Sequence, residues 1–206
     1  MNIERIKEII DSAQGRRIVV ASKYINASQI KELSTLGLTE FGENRVDALL
    51  EKSAILKDDP FIHFHFIGHL QSNKAKAIAN AICCLHSLDS LKTARILNEN
   101  RSSPLDCFVE LHLTANEAKS GVSEEELPAF LSALEEFPNI RVIGFMAMSD
   151  KDMNDEEKAT VFRHAKSLAD QYGLNQLSMG MSEDYELAIQ EGATTLRLGR
   201  IITNNC

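Results

Sequence analysis

Lys23 ends the run IVVASK at residues 18–23, where four apolar residues lead into a serine and a lysine. Such a lysine has two readings: a solvated strand terminus, or an amine placed to condense with a carbonyl compound. In a desolvated pocket a lysine amine has a lowered pKa, so a neutral nucleophilic form exists near neutral pH. Arg197 lies between Leu196 and Leu198 in TTLRLGR. On a parallel strand it cannot be solvated easily, so it needs either a carboxylate partner or a polar pocket that admits a ligand.

Two further residues suit an anion. Ser182 follows the run QLSMGMS at 176–182 and precedes a helix-patterned segment. Its hydroxyl reads either as a helix N-cap or as a contact to a phosphate at a helix N-terminus. Gly199 lacks a side chain, which lets an anion approach backbone N–H groups. Glu183 and Asp184 follow Ser182 and would repel a phosphate if they pointed inward. His63 and His65 form an HxH pair on one face of a run, with His69, His86 and His112 as further imidazoles. The pair admits a metal-dependent hydrolase barrel. Against it, the sixth run, VIGFMAM, has no histidine and the eighth no aspartate. Hydrogen-bonded strand histidines are the simpler reading, with no metal ligands assigned.

These residues must be positioned by a repeating framework. β-rich runs occur at 18–23, 40–44, 63–68, 84–89, 107–113, 142–148, 176–182 and 194–200, mostly starting 20 to 35 residues apart. Helix-patterned segments separate them: Leu127, Phe130, Leu131 and Leu134 share one face, as do Ala159, Phe162, Ala165, Ala169 and Tyr172. Ala75, Ile78, Ala79 and Ile82 form a third stripe. Ser123 with Glu126, and Asn154 with Glu157, read as capping boxes, and Gly173 as a stop. Met1–Gln14 supplies an opening helix with Ile3, Ile6, Ile9 and Ile10 as its apolar side. Eight strand–helix alternations predict a single (β/α)8 barrel of the TIM type spanning residues 1–206, with a doubly wound open sheet as the alternative. No G-x-G-x-x-G or P-loop string is present. In a barrel the strand C-termini carry the site, which groups Lys23, Asn44, Gly68 with His69, Asp89, Met146 to Ser149, Ser182, and Gly199 with Arg200.

The 206 residues carry 44% hydrophobic and 25% charged side chains, an ordinary globular composition. A net charge of −8 argues against nucleic acid or an anionic membrane surface as partner, but leaves room for a small anionic ligand. No apolar stretch is long enough to span a bilayer and no signal core opens the chain, so a cytoplasmic protein is expected. Cys83, Cys84, Cys107 and Cys206 form no CxxC and read as reduced thiols.

The strings VVASK (19–23), FGENRV (41–46), HFIGHLQSNK (65–74), AKSGV (118–122), LSMGMSEDYELAI (177–189) and TTLRLGR (194–200) resemble the pyridoxal phosphate homeostasis protein family. The resemblance implies a barrel like the alanine racemase N-terminal domain (fold type III of pyridoxal phosphate proteins), with pyridoxal 5′-phosphate (PLP) at its mouth. It implies an imine to Lys23, Asn44 near the cofactor, Ser182 and Gly199 with its neighbour Arg200 at the phosphate, and Arg197 toward the pyridine nitrogen. An arginine there cannot readily accept the ring proton, which weakens the ring as an electron sink. The implied role is a non-catalytic holder of PLP in vitamin B6 homeostasis, monomeric, with PLP-dependent apo-enzymes or amino acids as partners. The alternative is a PLP-dependent amino-acid racemase or decarboxylase. That reading requires a second acid–base group opposite Lys23, and none is evident. Tyr24 is close in sequence, but strand alternation points it away from Lys23. Three features depart from the family pattern. Only 17 residues precede the first run, Tyr24 stands where threonine is more usual, and Arg200 with the tail IITNNC replaces a small phosphate-contacting residue and its usual sequel.

Overall fold

The computed structural model describes residues 2–114 and 120–204. Helix α1 (Ile3–Ser12) leads into β1 (Arg17–Ala21), α2 (Ala27–Ser34), β2 (Glu40–Glu43), α3 (Val46–Ile55), β3 (His63–Phe66), α4 (Ser72–Ile78), β4 (Cys84–Leu88) and α5 (Leu91–Glu99). Then follow β5 (Leu105–Glu110), α6 (Leu127–Leu134), β6 (Ile140–Met146), α7 (Asp155–Gln171), β7 (Gln176–Ser178), α8 (Tyr185–Gln190), β8 (Thr195–Leu198) and α9 (Arg200–Thr203). The eight strands pair in parallel in chain order and close, β8 against β1, into the barrel that the alternation predicts.

Local chemistry explains the element boundaries. Asn154 and Glu157 exchange reciprocal bonds in a complete capping box at α7, and Gly173 ends that helix at φ +67°. Asn26 and Gln29 form a second complete box on α2 that the sequence reading does not name. Ser123 and Glu126 also bond reciprocally, but in the turn before α6. The AKSGV string begins within 115–119, outside the described residues. Ile3 is a correction: it is exposed in the first turn, and α1 is held from Ile6 onward, through Ile6, Ile9 and the partly buried Ile10.

Most strands are shorter than the β-rich runs, and β6 is shifted two residues toward the N-terminus relative to its run. β1 stops at Ala21 and β7 at Ser178, so the residues expected to end these strands lie in loops beyond them. The register sorts side chains into two regions. Pairing of Val19 with Arg197 and Glu40, of Gly42 with His65, and of His65 with Cys84 puts these residues on the lumen side. Val20, Phe41, Leu196 and Leu198 face the helices and join the main apolar core, while Cys84, Phe108 and Met146 form a separate small cluster inside the barrel.

Candidate functional site at the barrel mouth

Lys23 sits in a turn rather than on the strand, with the Ile25 N–H donating to Ser22 O at 3.1 Å. Lys23 is exposed rather than set in a closed pocket. Its Nζ lies 4.6 Å from the centroid of the Tyr24 ring, a cation–π contact. This corrects the expectation that Tyr24 points away: strand alternation no longer governs two and three residues past Ala21, the last strand position.

Beneath Lys23 lies a buried clamp. Ser22 Oγ donates to Glu43 Oε1 at 2.7 Å, and Lys52 Nζ donates to the same oxygen at 2.6 Å and to Ser22 O at 2.7 Å. The clamp joins the end of β1 to the end of β2 and to α3, and so fixes the loops that carry Lys23 and Asn44. Asn44 is exposed, and its main chain is the reason for Gly68: a Cβ on Gly68 would lie 2.4 Å from Asn44 O. Ser87 Oγ holds the Gly68 carbonyl at 2.6 Å.

At the strands flanking β1 on the other side, Ser182 is half-buried and accepts from the N–H groups of Gly199 at 3.2 Å and Ile201 at 3.3 Å. It therefore serves the first turn of α9 and not α8. Asp184 stands at the N-cap position of α8 without a side-chain capping bond; it is buried and accepts from Met181 N at 2.6 Å and from Ser149 Oγ at 2.7 Å. Glu183 pairs with Arg200, and both are exposed. The carboxylates beside Ser182 thus have other partners, and Arg200 turns to one of them. The N–H groups of Gly199 and Ile201 converge on Ser182 Oγ, which leaves the Ser182 hydroxyl proton to be donated. The bare Cα of Gly199, where an added Cβ would lie 3.5 Å from Ala21 Cβ, keeps the approach open. An anion in this cradle accepts that proton or takes the place of the hydroxyl at the two N–H groups.

Arg197 is buried at 5% exposure. Nη1 donates to Ser178 O at 2.6 Å and to Ser178 Oγ at 2.7 Å, and Nη2 to Ala147 O at 3.1 Å. Its bonds go to neutral oxygens, so no ion pair holds it. Burial pushes its pKa down to about 10, against the opposing pull of Asp184 and Glu110. His65 and His86 are hydrogen-bonded to each other at 2.9 Å, and His86 to Ser178 at 2.7 Å. His63 is exposed, so the HxH pair is split between a surface and a lumen position. His65, Cys84 and His86 do bring ligand atoms within 4.8 Å of one another, but the imidazoles face each other and burial raises the Cys84 thiol well above its ordinary value.

Sequence reasoning missed Glu110. It closes β5, the strand across the barrel from β1, and is buried with Ser120 Oγ donating at 3.0 Å. Burial raises its pKa, with the Ser120 hydrogen bond opposing. Asp89, whose pKa is also raised by burial, lies 3.5 Å from His69 Nδ1. Glu110 stands within the run 107–113, and the pairing of its strand with β6 alone assigns it to the mouth.

Residues 1–204 match the family model described as alanine racemase, N-terminal domain. The chain is 38% identical over 187 residues to a Pseudomonas aeruginosa protein named pyridoxal phosphate homeostasis protein, covering 88% of this chain and 81% of that one. It is similar to PipY of Synechococcus elongatus with PLP bound, at 29% identity and a TM-score of 0.88, covering 98% and 99% of the two chains. Alanine racemase of Corynebacterium glutamicum shares the fold, with a TM-score of 0.71 at 17% identity, and this chain covers 58% of it. Among the described residues no helix is long and apolar enough to cross a membrane.

Proposed function

This chain belongs to the pyridoxal phosphate homeostasis protein family, and from that premise we propose that it is a non-catalytic PLP holder, attaching the cofactor through Lys23. The observation that carries this reading is the juxtaposition at adjoining strand ends. A solvent-reached amine follows β1, and the anion cradle of Ser182, Gly199 and Ile201 lies at the ends of β7 and β8, which closes against β1. Bound PLP supplies an aldehyde that condenses with a primary amine, together with a phosphate. Lys23 provides the amine, and its base is held still by the Ser22–Glu43–Lys52 clamp. Asn44 stands beside the lysine loop. Arg197 is the group presented from the lumen toward the ring, and as a donor it leaves the ring nitrogen unprotonated. Arg200, paired with Glu183, stays outside the phosphate contacts in this arrangement.

The same reading has the chain act as one barrel domain, monomeric and cytoplasmic, passing PLP to apo-enzymes or exchanging it with amino acids. Neither nucleic acid nor membrane is a partner. The purified protein should be yellow, and borohydride reduction should trap the cofactor on one lysine. Mass mapping that finds the adduct only on Lys74 or Lys119 would refute the assignment.

One observation favours the enzyme alternative. Glu110, across the barrel from Lys23, is a titratable group where a racemase needs its second acid–base residue. Its burial and its bond to Ser120 speak for a structural role. Deuterium wash-in at the α-carbon of alanine and other amino acids decides between them. Multiple-turnover exchange that disappears in both Lys23→Ala and Glu110→Gln would install the enzyme reading.

A further inference from the structure

A hydrogen-bonded column crosses the barrel lumen from β8 to β2. Arg197 Nη1 donates to Ser178 Oγ at 2.7 Å, Ser178 Oγ lies 2.7 Å from His86 Nδ1, and His86 Nε2 lies 2.9 Å from His65 Nδ1. At the far end His65 Nε2 is 3.3 Å from Glu40 Oε2, long for a hydrogen bond, and Glu40 Oε2 is 3.4 Å from Arg17 Nε. His65, His86, Ser178 and Arg197 are all buried.

The two ends determine the direction of every bond between them. A guanidinium only donates and a carboxylate only accepts. Ser178 Oγ receives a proton from Arg197, so its own hydroxyl proton must find an acceptor, and His86 Nδ1 is the one in reach. His86 then carries its proton on Nε2 and donates to His65 Nδ1. His65 likewise carries its proton on Nε2, aimed at Glu40. The bonds from Arg197 to His65 are all matched only if both imidazoles are neutral and in the same tautomer, while the long contact to Glu40 leaves His65 Nε2 and Glu40 Oε2 without a hydrogen bond of ordinary geometry. Burial, reinforced by His65 and Arg197, holds the His86 pKa well below its ordinary value, in keeping with a neutral ring. Burial alone would raise the Glu40 pKa, but His65, Arg17 and His63 outweigh it and lower it, in keeping with an acceptor-only terminus.

We infer that Ser178, His86 and His65 are positioning residues for Arg197: a one-way donor chain, ending against Glu40, that locks which edge of the guanidinium faces the barrel mouth. With Nη1 held twice by Ser178 and Nη2 by Ala147, the guanidinium plane cannot turn. The consequence for a bound ring rests on the PLP-holding reading; the chain itself does not.

Long-range proton–nitrogen NMR of the full-length protein with ¹⁵N-labelled histidines tests the chain without cofactor. Two of the six histidines should show the neutral Nε2–H pattern, and that of His86 should persist as pH falls below its ordinary titration range. Ser178→Ala should release His86 into a mixture of tautomers. Glu40→Gln, at the half-exposed end where folding is less at risk, should do the same for His65, because an amide both donates and accepts. Titration with PLP then reads the link to Arg197. Ser178→Ala should shift the visible band while the adduct stays on Lys23, and Ser178→Thr should restore it. Unchanged tautomers in both variants, or a doubly protonated His86, would overturn the chain. Stoichiometric zinc or copper(I) uptake that moves both signals would replace it with a His65–Cys84–His86 metal centre. If the wild type takes no PLP at all, the holder reading fails while the histidine spectra still decide the chain. An unshifted band in Ser178→Ala, with tautomers released, would overturn only the positioning role.

Discussion

The two buried polar systems of this barrel solve the same problem in opposite ways. Outside the strands, in the layer packed against the helices, Glu43 and Lys52 are held as a compact charged pair with Ser22, within an otherwise apolar core. Inside, where such barrels usually stack branched aliphatic side chains, the lumen carries His65, His86, Ser178 and Arg197 beside the small cluster of Cys84, Phe108 and Met146. The clamp keeps two opposite charges together at one strand end. The column puts the Arg197 cation at one end of a neutral chain and the Glu40 carboxylate, with Arg17 beside it, at the other. A local ion pair suits fixing a loop; a chain of neutral donors suits holding a guanidinium where a second charge beside the ligand would be a disturbance.

The largest effect is expected from breaking the clamp. Lys52→Met leaves the Glu43 carboxylate buried and unpaired, at a cost of about 3–5 kcal/mol in denaturant unfolding. Replacing both partners, Glu43→Leu with Lys52→Met, should recover most of that loss. A single variant costing under about 1 kcal/mol would place the pair among weakly coupled surface charges and end the contrast.

In the column the unmatched groups are neutral, so His86→Phe should cost less, about 1–3 kcal/mol. It should also alter the pH dependence. The unfolded chain protonates His86 as pH falls through 6.5, whereas burial keeps the folded form neutral, so stability is lost below that pH. His86→Phe should flatten this slope in urea titrations, and an unaltered slope would assign it to other groups. Glu110 has the opposite sign. Its raised pKa makes its contribution favourable at low pH and lost as pH rises above 4.5, so Glu110→Gln should gain stability at neutral pH relative to acid.

Ser182→Ala should cost about 0.5–2 kcal/mol in unfolding, as the loss of the acceptor at the first turn of α9, and weaken PLP retention about 10- to 150-fold, the worth of roughly 1.5–3 kcal/mol for a hydrogen bond to a charged group. Equal affinity would move the phosphate elsewhere. The smallest stability change belongs to Lys23→Ala, within about 0.5 kcal/mol for an exposed side chain, although it should abolish the borohydride-trapped adduct. A large loss of stability there would make Lys23 part of the scaffold that the clamp is meant to provide.

The chain's own pattern determined the eightfold alternation, the capping box at Asn154 and the placement of Lys23, Asn44, Ser182 and Gly199 at one end of the strands. These rest on periodicity and backbone chemistry, which are local. Tertiary structure alone decided the partners. That Ser182 serves α9 rather than α8, that Tyr24 lies under Lys23, that Arg200 turns to Glu183 and that Glu110 reaches the mouth all depend on where strands stop and which loops meet. The lumen column was least legible. His65, His86, Ser178 and Arg197 come from four strands separated by up to 92 residues between hydrogen-bonded partners, and only closure with its particular register brings them into one line. Alternation can say that a side chain faces inward, but which inward side chains meet is fixed by the stagger of the closed barrel.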